Sequence, residues 1–245
     1  MENSLYVGLS RQLVLDHAMT LVSNNVANAN TPGYRAQNPM FEEYVSKAGA
    51  GYKKQDSLSM VYDVGQYTTT EAGPVQMTGG TYDVALQGPG FMEVVTPSGQ
   101  TQYTRGGNFT TNSRNELVTS SGMTVAGSGG SAISIPSNAK EVVITDSGDV
   151  TADGSVVGKI SVVEFTNLQE LKPEGNGLYS SKTPGTPAIE TAVKQGYLEG
   201  SNVNSVQEIT RMIDILRTYQ STMRMINNEH ERQVNAIQKL TQTNS

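Results

Sequence analysis

Two histidines, His17 and His230, are the only imidazoles in the chain, and imidazole is the side chain that changes charge near neutral pH. His230 falls on a run of apolar positions spaced three and four apart. There it is either a pH-sensitive joint or, as the pattern favours, a polar position in a helix seam. His17 has Asp16 as its only neighbouring carboxylate, and consecutive residues do not face each other on a helix. No nucleophile-elbow sequence supports a Ser-His-Asp triad. Asp146, Asp149 and Asp153 form the densest acidic group and could be imagined around calcium. Their spacing departs from an EF-hand loop, and the flanking Gly148 and Gly154 make turn closure the better reading. Gly127-Ser128-Gly129-Gly130 lacks the Lys-Ser/Thr that completes a phosphate cradle, and reads as a loop. Asp83 and Glu93 could share acid and base roles, but they flank Gly88-Pro89-Gly90 and fit a surface or hairpin placement. No catalytic residue, metal ligand or cofactor site is expected, and the chain does not read as an enzyme.

Composition narrows the classes further. Over 245 residues the net charge is -6, with 36% hydrophobic and 16% charged residues. A nucleic-acid grip needs a basic face to displace phosphate counterions, so nucleic acid is not an expected partner. No apolar run reaches the roughly 18 residues of a membrane span, so membrane insertion is not expected either. Met1 to Leu5 lacks a basic stretch and a continuous apolar run, so no cleaved secretory signal is expected. There is no cysteine, which removes disulfides and thiolate metal sites.

The elements that would position any site fall into helical, β-rich and helical segments. Leu15, Met19, Val22 and Val26 recur at helical spacing, with Leu5, Leu9 and Leu13 upstream. This first helix stops at Asn28-Ala29-Asn30-Thr31-Pro32-Gly33. A weakly patterned connector over 35–80 follows, extended or partly strand-like and punctuated by Gly49-Ala50-Gly51 and Gly79-Gly80. Short alternating runs between turns then read as strands over 81–200: Tyr82 to Leu86, Phe91 to Val95, Gln102 to Thr104, Glu116 to Thr119, Ile133 to Ile135, Glu141 to Thr145, Lys159 to Phe165 and Lys194 to Leu198. They suggest a sandwich or barrel-like domain.

The last segment, 201–245, opens with Ser205-Val206-Gln207-Glu208, which predicts a capping box. Ile209, Met212, Leu216, Tyr219, Met223 and Ile226 then step three and four apart, through His230 and Gln233 to Ile237 and Leu240, as a heptad seam. Such a helix of about 38 residues is roughly 57 Å long, and no small domain covers all of its stripe. Its partner is either the first helix or a neighbouring subunit. The fold class is therefore α+β: long N- and C-terminal helices pairing as a coiled-coil-like layer, with 1–34, 35–80, 81–200 and 201–245 as helix, connector, β-rich middle domain and heptad helix.

Three groups of residues carry a family resemblance. Leu21 to Tyr34, with Ser23, Asn24, Asn25, Ala27, Asn28, Asn30, Thr31, Pro32 and Gly33, resembles the N-terminal signature of bacterial flagellar basal-body rod and hook proteins. Glu199 to Val206, with Ser201, Asn202 and Val203, followed by Met212-Ile213 and Arg217 to Gln220, resembles their paired C-terminal signature. Asp83 to Phe91, Tyr103 to Phe109 and Asn115 to Thr119 resemble the β domain of the same group. Gly33 to Gly80 matches least. Met92 after Phe91 and Arg114-Asn115 depart from the family pattern.

The resemblance implies a structural subunit of the rod, the periplasm-crossing drive shaft that transmits torque and surrounds an export channel. It implies copies of the chain, neighbouring rod proteins and surrounding ring proteins as partners, and transit unfolded through the flagellar type III export apparatus. The opening Glu2 to Ser10 leans towards the proximal rod, with a distal-rod or hook-like relative as the alternative. The assembly interface is then Leu15, Met19, Val22, Val26, Ile209, Met212, Leu216, Tyr219, Met223 and Ile226. An extracellular carbohydrate- or surface-binding module would explain the β-rich middle but not the amphipathic ends.

Overall fold

A computed structural model describes residues 2–46 and 58–242. Gly49-Ala50-Gly51 and the Leu240 side chain lie outside the described residues. The fold is α+β: an N-terminal helix, a β-rich middle and a C-terminal helix. The chain divides into two compact units. One holds Met1–Ala27, Gln37–Tyr67 and Asn204–Ser245; the other holds Asn28–Ala36 and Thr68–Val203.

The helical unit contains α1 (Glu2–Ala27), β1 (Gln37–Ser46), β2 (Leu58–Thr68) and, at the far end of the sequence, α2 (Ser205–Gln242). The weakly patterned connector thus contains two long strands that pair as a two-stranded sheet. Helices α1 and α2 run antiparallel: Gly8 meets Ile226, Gln12 meets Tyr219 and Met223, and Asn25 meets Glu208. A Cβ on Gly8 would stand 2.9 Å from Ile226 Cγ1, so glycine lets the two backbones approach there.

The N-cap of α2 is Asn204, not Ser205. Asn204 Oδ1 accepts hydrogen bonds from the amides of Val206 at 3.1 Å and Gln207 at 3.2 Å. Glu208 does not reach back to close a capping box; its carboxylate accepts a 3.0 Å hydrogen bond from Asn25 instead. Asparagine one residue earlier does the capping, which frees Glu208 for a tertiary contact.

The β-rich unit adds sixteen strands. Along the chain these are β3 (Val75–Met77), β4 (Val84–Gln87), β5 (Phe91–Val95), β6 (Thr101–Thr104), β7 (Phe109–Thr111), β8 (Leu117–Thr119) and β9 (Thr124–Val125). Then come β10 (Val142–Ile144), β11 (Asp149–Ala152), β12 (Ser155–Lys159), β13 (Val162–Glu164), β14 (Lys172–Gly175), β15 (Leu178–Ser180), β16 (Thr186–Pro187), β17 (Ala192–Gln195) and β18 (Tyr197–Glu199). The main sheet runs β14-β15-β6-β5-β9-β8-β7, with β13 also pairing β5 and β16. Strands β10, β11 and β12 form a meander, while β17 pairs β4 and β18 pairs β3.

Strand β5 shows why this unit folds. Its alternation sends Phe91 into a cluster with Tyr103, Val163, Leu171 and Tyr179. Met92 goes to the other cluster, with Leu86, Leu117, Val125, Ile133 and Ile160. One period-two strand therefore feeds two cores.

Three expected strands differ from the observed ones. Ile133 to Ile135 is not a strand: its two isoleucines are buried, but it pairs only through single contacts, Ile133 O with the Leu117 amide and the Ile135 amide with Asn115 O. Lys159 to Phe165 is interrupted at Ile160 and Ser161, whose amides turn to Gly148 O and Ala126 O. Lys194 to Leu198 breaks at Gly196, which takes φ +77° and donates to Asp83 O. In the last two cases a change of partner, invisible to periodicity, ends the strand.

Candidate assembly interface

Within the helical unit, the face that α1 covers carries Val14, Ala18, Leu21, Val22 and Asn25. Of the stripe expected from sequence, Val22 is buried, while Leu15, Met19 and Val26 are half-buried beside it. The buried face is turned by one position because it includes a small residue, Ala18, and a polar one, Asn25. Neither scores as core by hydrophobicity. Asn25 is fully buried and fully used. Its amide nitrogen donates to Gln37 O at 2.9 Å and to Glu208, and its oxygen accepts the Gln37 amide at 2.9 Å.

On α2, Met212, Tyr219, Met223 and Ile226 are half-buried, and Thr222 between them is buried. Gln12 donates to Tyr219 Oη at 2.8 Å and to Met223 Sδ at 3.0 Å. His230 is exposed, one turn beyond Ile226. His17, by contrast, has a carboxylate partner that sequence could not supply: Asp63 of β2, with Nδ1 and Oδ2 2.7 Å apart.

A second apolar stripe on each helix remains open. On α1, Tyr6, Leu9 and Leu13 are 56%, 52% and 66% exposed. On α2, Val206, Ile209, Ile213 and Leu216 are 74%, 47%, 44% and 46% exposed. Spacings of three and four keep each set on one side of its helix. Ile209 and Leu216 belong to this open stripe rather than to the face against α1.

The residues of the two family-like signatures behave differently from one another. Ser23 bonds back to Met19 O at 2.8 Å on the exposed side of α1, and Asn24 is also exposed there. Ala27 ends the helix. From Asn28 onward the N-terminal signature belongs to the β-rich unit. Thr31 bonds Asn28 through backbone and side chain, Asn30 is exposed at the turn, and half-buried Pro32 leads into Gly33. Gly33 takes φ +69° and donates to Glu199 O at 2.8 Å; a Cβ there would collide with the backbone of Arg105 and Gly106.

From the C-terminal signature, Asn202 answers. Its Oδ1 accepts the Ala36 amide at 2.7 Å, its Nδ2 donates to Glu71 O at 2.8 Å, and its own amide donates to Tyr34 O. Ser201 Oγ accepts the Val203 amide, and Val203 is half-buried.

Beneath this knot lies a charge cluster that sequence reasoning missed. Arg105, Glu199 and Arg35 are 0%, 1% and 4% exposed. Arg105 Nε donates to Glu199 Oε2 at 2.7 Å, and Nη2 approaches the same oxygen at 2.6 Å. The rest of the guanidinium donates to the carbonyls of Leu86, Gly88 and Gly90. Glu199 Oε1 accepts the Gly73 amide and lies 4.0 Å from Arg35 Nη2. Arg35 donates to Thr70 O at 2.8 Å, and both guanidinium carbons sit about the Phe91 ring, at 5.5 and 5.6 Å. Burial and then the neighbouring Arg105 cation pull the Arg35 pKa below its ordinary value, against Glu199, which raises it. Burial likewise holds the Tyr179 phenol above its ordinary value. The one available signal was chemical: Arg105 and Glu199 each stand next to glycine inside a stretch that resembles the family.

The residues considered for chemistry are each taken up in structure. Asp83 accepts Thr78 Oγ1 and Glu93 accepts Ser161 Oγ, both at 2.6 Å. Asp146 pairs with Lys194, Asp149 accepts Ser147 Oγ, and Asp153 caps a turn by accepting the Lys140 and Glu141 amides. The Gly130 amide closes a turn on Gly127 O. No helix among the described residues is long and apolar enough to cross a membrane.

The helix pair thus leaves open apolar stripes, and the two signature segments tie the β-rich unit, as a subunit that packs against others requires. Comparison with known proteins agrees. The family described as "Flagella basal body rod protein" matches residues 5–35, "Flagellar hook protein FlgE/F/G D1 domain" matches 85–152, and "Flagellar basal body rod FlgEFG protein C-terminal" matches 194–239. The flagellar basal-body rod protein FlgF of Caulobacter vibrioides is 37% identical over 246 residues, covering 100% of both chains. FlgF of Mesorhizobium japonicum is 35% identical over 226 residues, covering 91% of each. FlgG of Caulobacter vibrioides is 34% identical over 233 residues, covering 84% of this chain and 87% of the relative.

The chain belongs to the flagellar basal-body rod protein family. It is a structural subunit of the rod of the flagellar basal body, similar to FlgF, and assembles with other rod subunits.

Proposed function

We propose that this chain is a subunit of the proximal rod, whose terminal helices join those of neighbouring copies and rod relatives in a coiled-coil-like inner layer around the export channel. The observation that carries this reading is the pair of open stripes, Tyr6-Leu9-Leu13 and Val206-Ile209-Ile213-Leu216, left on helices that already cover each other's inner faces. Complete burial of a large apolar side chain contributes roughly 1.5–3 kcal/mol, so covering these half-exposed ones adds about 1 kcal/mol each. A contact between non-identical faces of successive subunits does not close, and it builds a filament. In the rod that filament carries torque across the periplasm, within its surrounding rings, after each chain has passed unfolded through the type III export apparatus. The proximal position rests on the full-length match to FlgF.

The cysteine-free sequence makes the test direct. Chains carrying both Leu9→Cys and Ile213→Cys should form disulfide-linked multimers in isolated basal bodies and none in free monomer. Equal cross-linking in both preparations, or none in basal bodies, contradicts the interface.

A further inference from the structure

We propose that Arg35, Arg105 and Glu199 form a latch that makes closure of the β-rich unit conditional on arrival of the C-terminal signature segment. This latch lies wholly within that unit and does not depend on the subunit's place in the rod.

Three remote stretches of chain meet at one carboxylate. Arg105 and Glu199 are 94 positions apart, and Arg35 comes from the N-terminal signature. Before Glu199 arrives, Arg105 can already collect the carbonyls of Leu86, Gly88 and Gly90 and so shape the turn between β4 and β5. In the folded unit both guanidiniums lie against the Phe91 ring, so without the Glu199 carboxylate they would share that site uncompensated. Breaking a buried pair by removing one partner is strongly unfavourable, because the remaining charge is neither solvated nor compensated. Phe91 also belongs to the second core cluster, so the ring cannot settle until the charge problem is solved.

Glu199 solves it with several contacts at once. Its carboxylate takes Arg105 and the Gly73 amide, and its carbonyl takes the Gly33 amide. Asn202, three residues on, then fastens Tyr34, Ala36 and Glu71. The β-rich unit therefore closes as a whole only in a chain that presents both signature segments, and a chain lacking Glu199 stays open at β5 and β6.

Hydrogen exchange on the full-length chain tests this. Glu199→Gln should lower protection of the β5 and β6 amides, Phe91–Val95 and Thr101–Thr104, by about a hundredfold or more, together with that of Gly33. Adding Arg35→Met to Glu199→Gln should recover about tenfold, because one of the two stranded cations is removed. A loss confined to Gly33 and Gly73, with β5 and β6 unchanged, would overturn the latch. So would failure of Arg35→Met to recover any protection, since a loss of packing alone gives no reason for rescue.

Discussion

Asn25 treats Gln37 as a strand would: its side-chain oxygen accepts the Gln37 amide and its nitrogen donates to the Gln37 carbonyl, both at 2.9 Å. The exchange fixes the start of β1 against α1, and the second amide hydrogen reaches Glu208 on α2. Asn25→Leu should therefore cost about 2–4 kcal/mol in the helical unit, since it leaves two buried backbone groups and a carboxylate without their partner. Denaturant titration of the free chain measures it; Asn25→Asp should lose the bond to Gln37 O and to Glu208 while keeping the one to the Gln37 amide.

Arg105→Lys should destabilise the β-rich unit by about 3–5 kcal/mol although charge is conserved. An ammonium cannot span Glu199 and three separate carbonyls in the fixed plane of a guanidinium. Thermal unfolding followed by near-ultraviolet circular dichroism reads this directly through Tyr103 and Tyr179. Equal stability of the lysine variant would show that the carbonyl contacts contribute little.

Leu216→Asp should change free-chain stability by no more than about 0.5 kcal/mol, because Leu216 lies on the open stripe. The same variant should block incorporation into rods. Normal incorporation contradicts the assignment of that stripe to subunit contacts.

Alkaline pH should loosen the β-rich unit through Tyr179. Burial, partly offset by Arg35, raises the pKa of this phenol above its ordinary value. Below about pH 10 the phenol is neutral folded and unfolded, so its contribution to stability is complete. As pH rises beyond that, the unfolded chain ionises first, and stability falls through the folded-state pKa. Melting temperature measured from pH 8 to 11 should drop above 10, and less steeply in Tyr179→Phe.

Much of this architecture was legible in the residues. Strand β5 is legible at its observed bounds because Phe91 to Val95, apolar but for Glu93, is closed by turn sequences at both ends. The long α2 followed from its heptad spacing. What periodicity could not show were positions where a polar or small residue does the packing. Asn25, Ala18 and Gly8 define the face of α1 that is covered, and none carries a large apolar side chain. Asn204 makes the cap that the spacing assigns to Ser205, since either residue can accept the helix amides and only geometry decides. The expected strand through Lys159 to Phe165 failed because Ile160 and Ser161 change partners, which is a tertiary event. The Arg105–Glu199 pair lies beyond any local pattern. The resemblance of both its stretches to one family was the only sign that they act together.

Electron microscopy of basal bodies from the native cell after deletion of this chain tests the central claim most directly. The account predicts structures truncated within the rod, without hook or filament, and truncated early if the subunit is proximal. Complete basal bodies carrying hook and filament would contradict it.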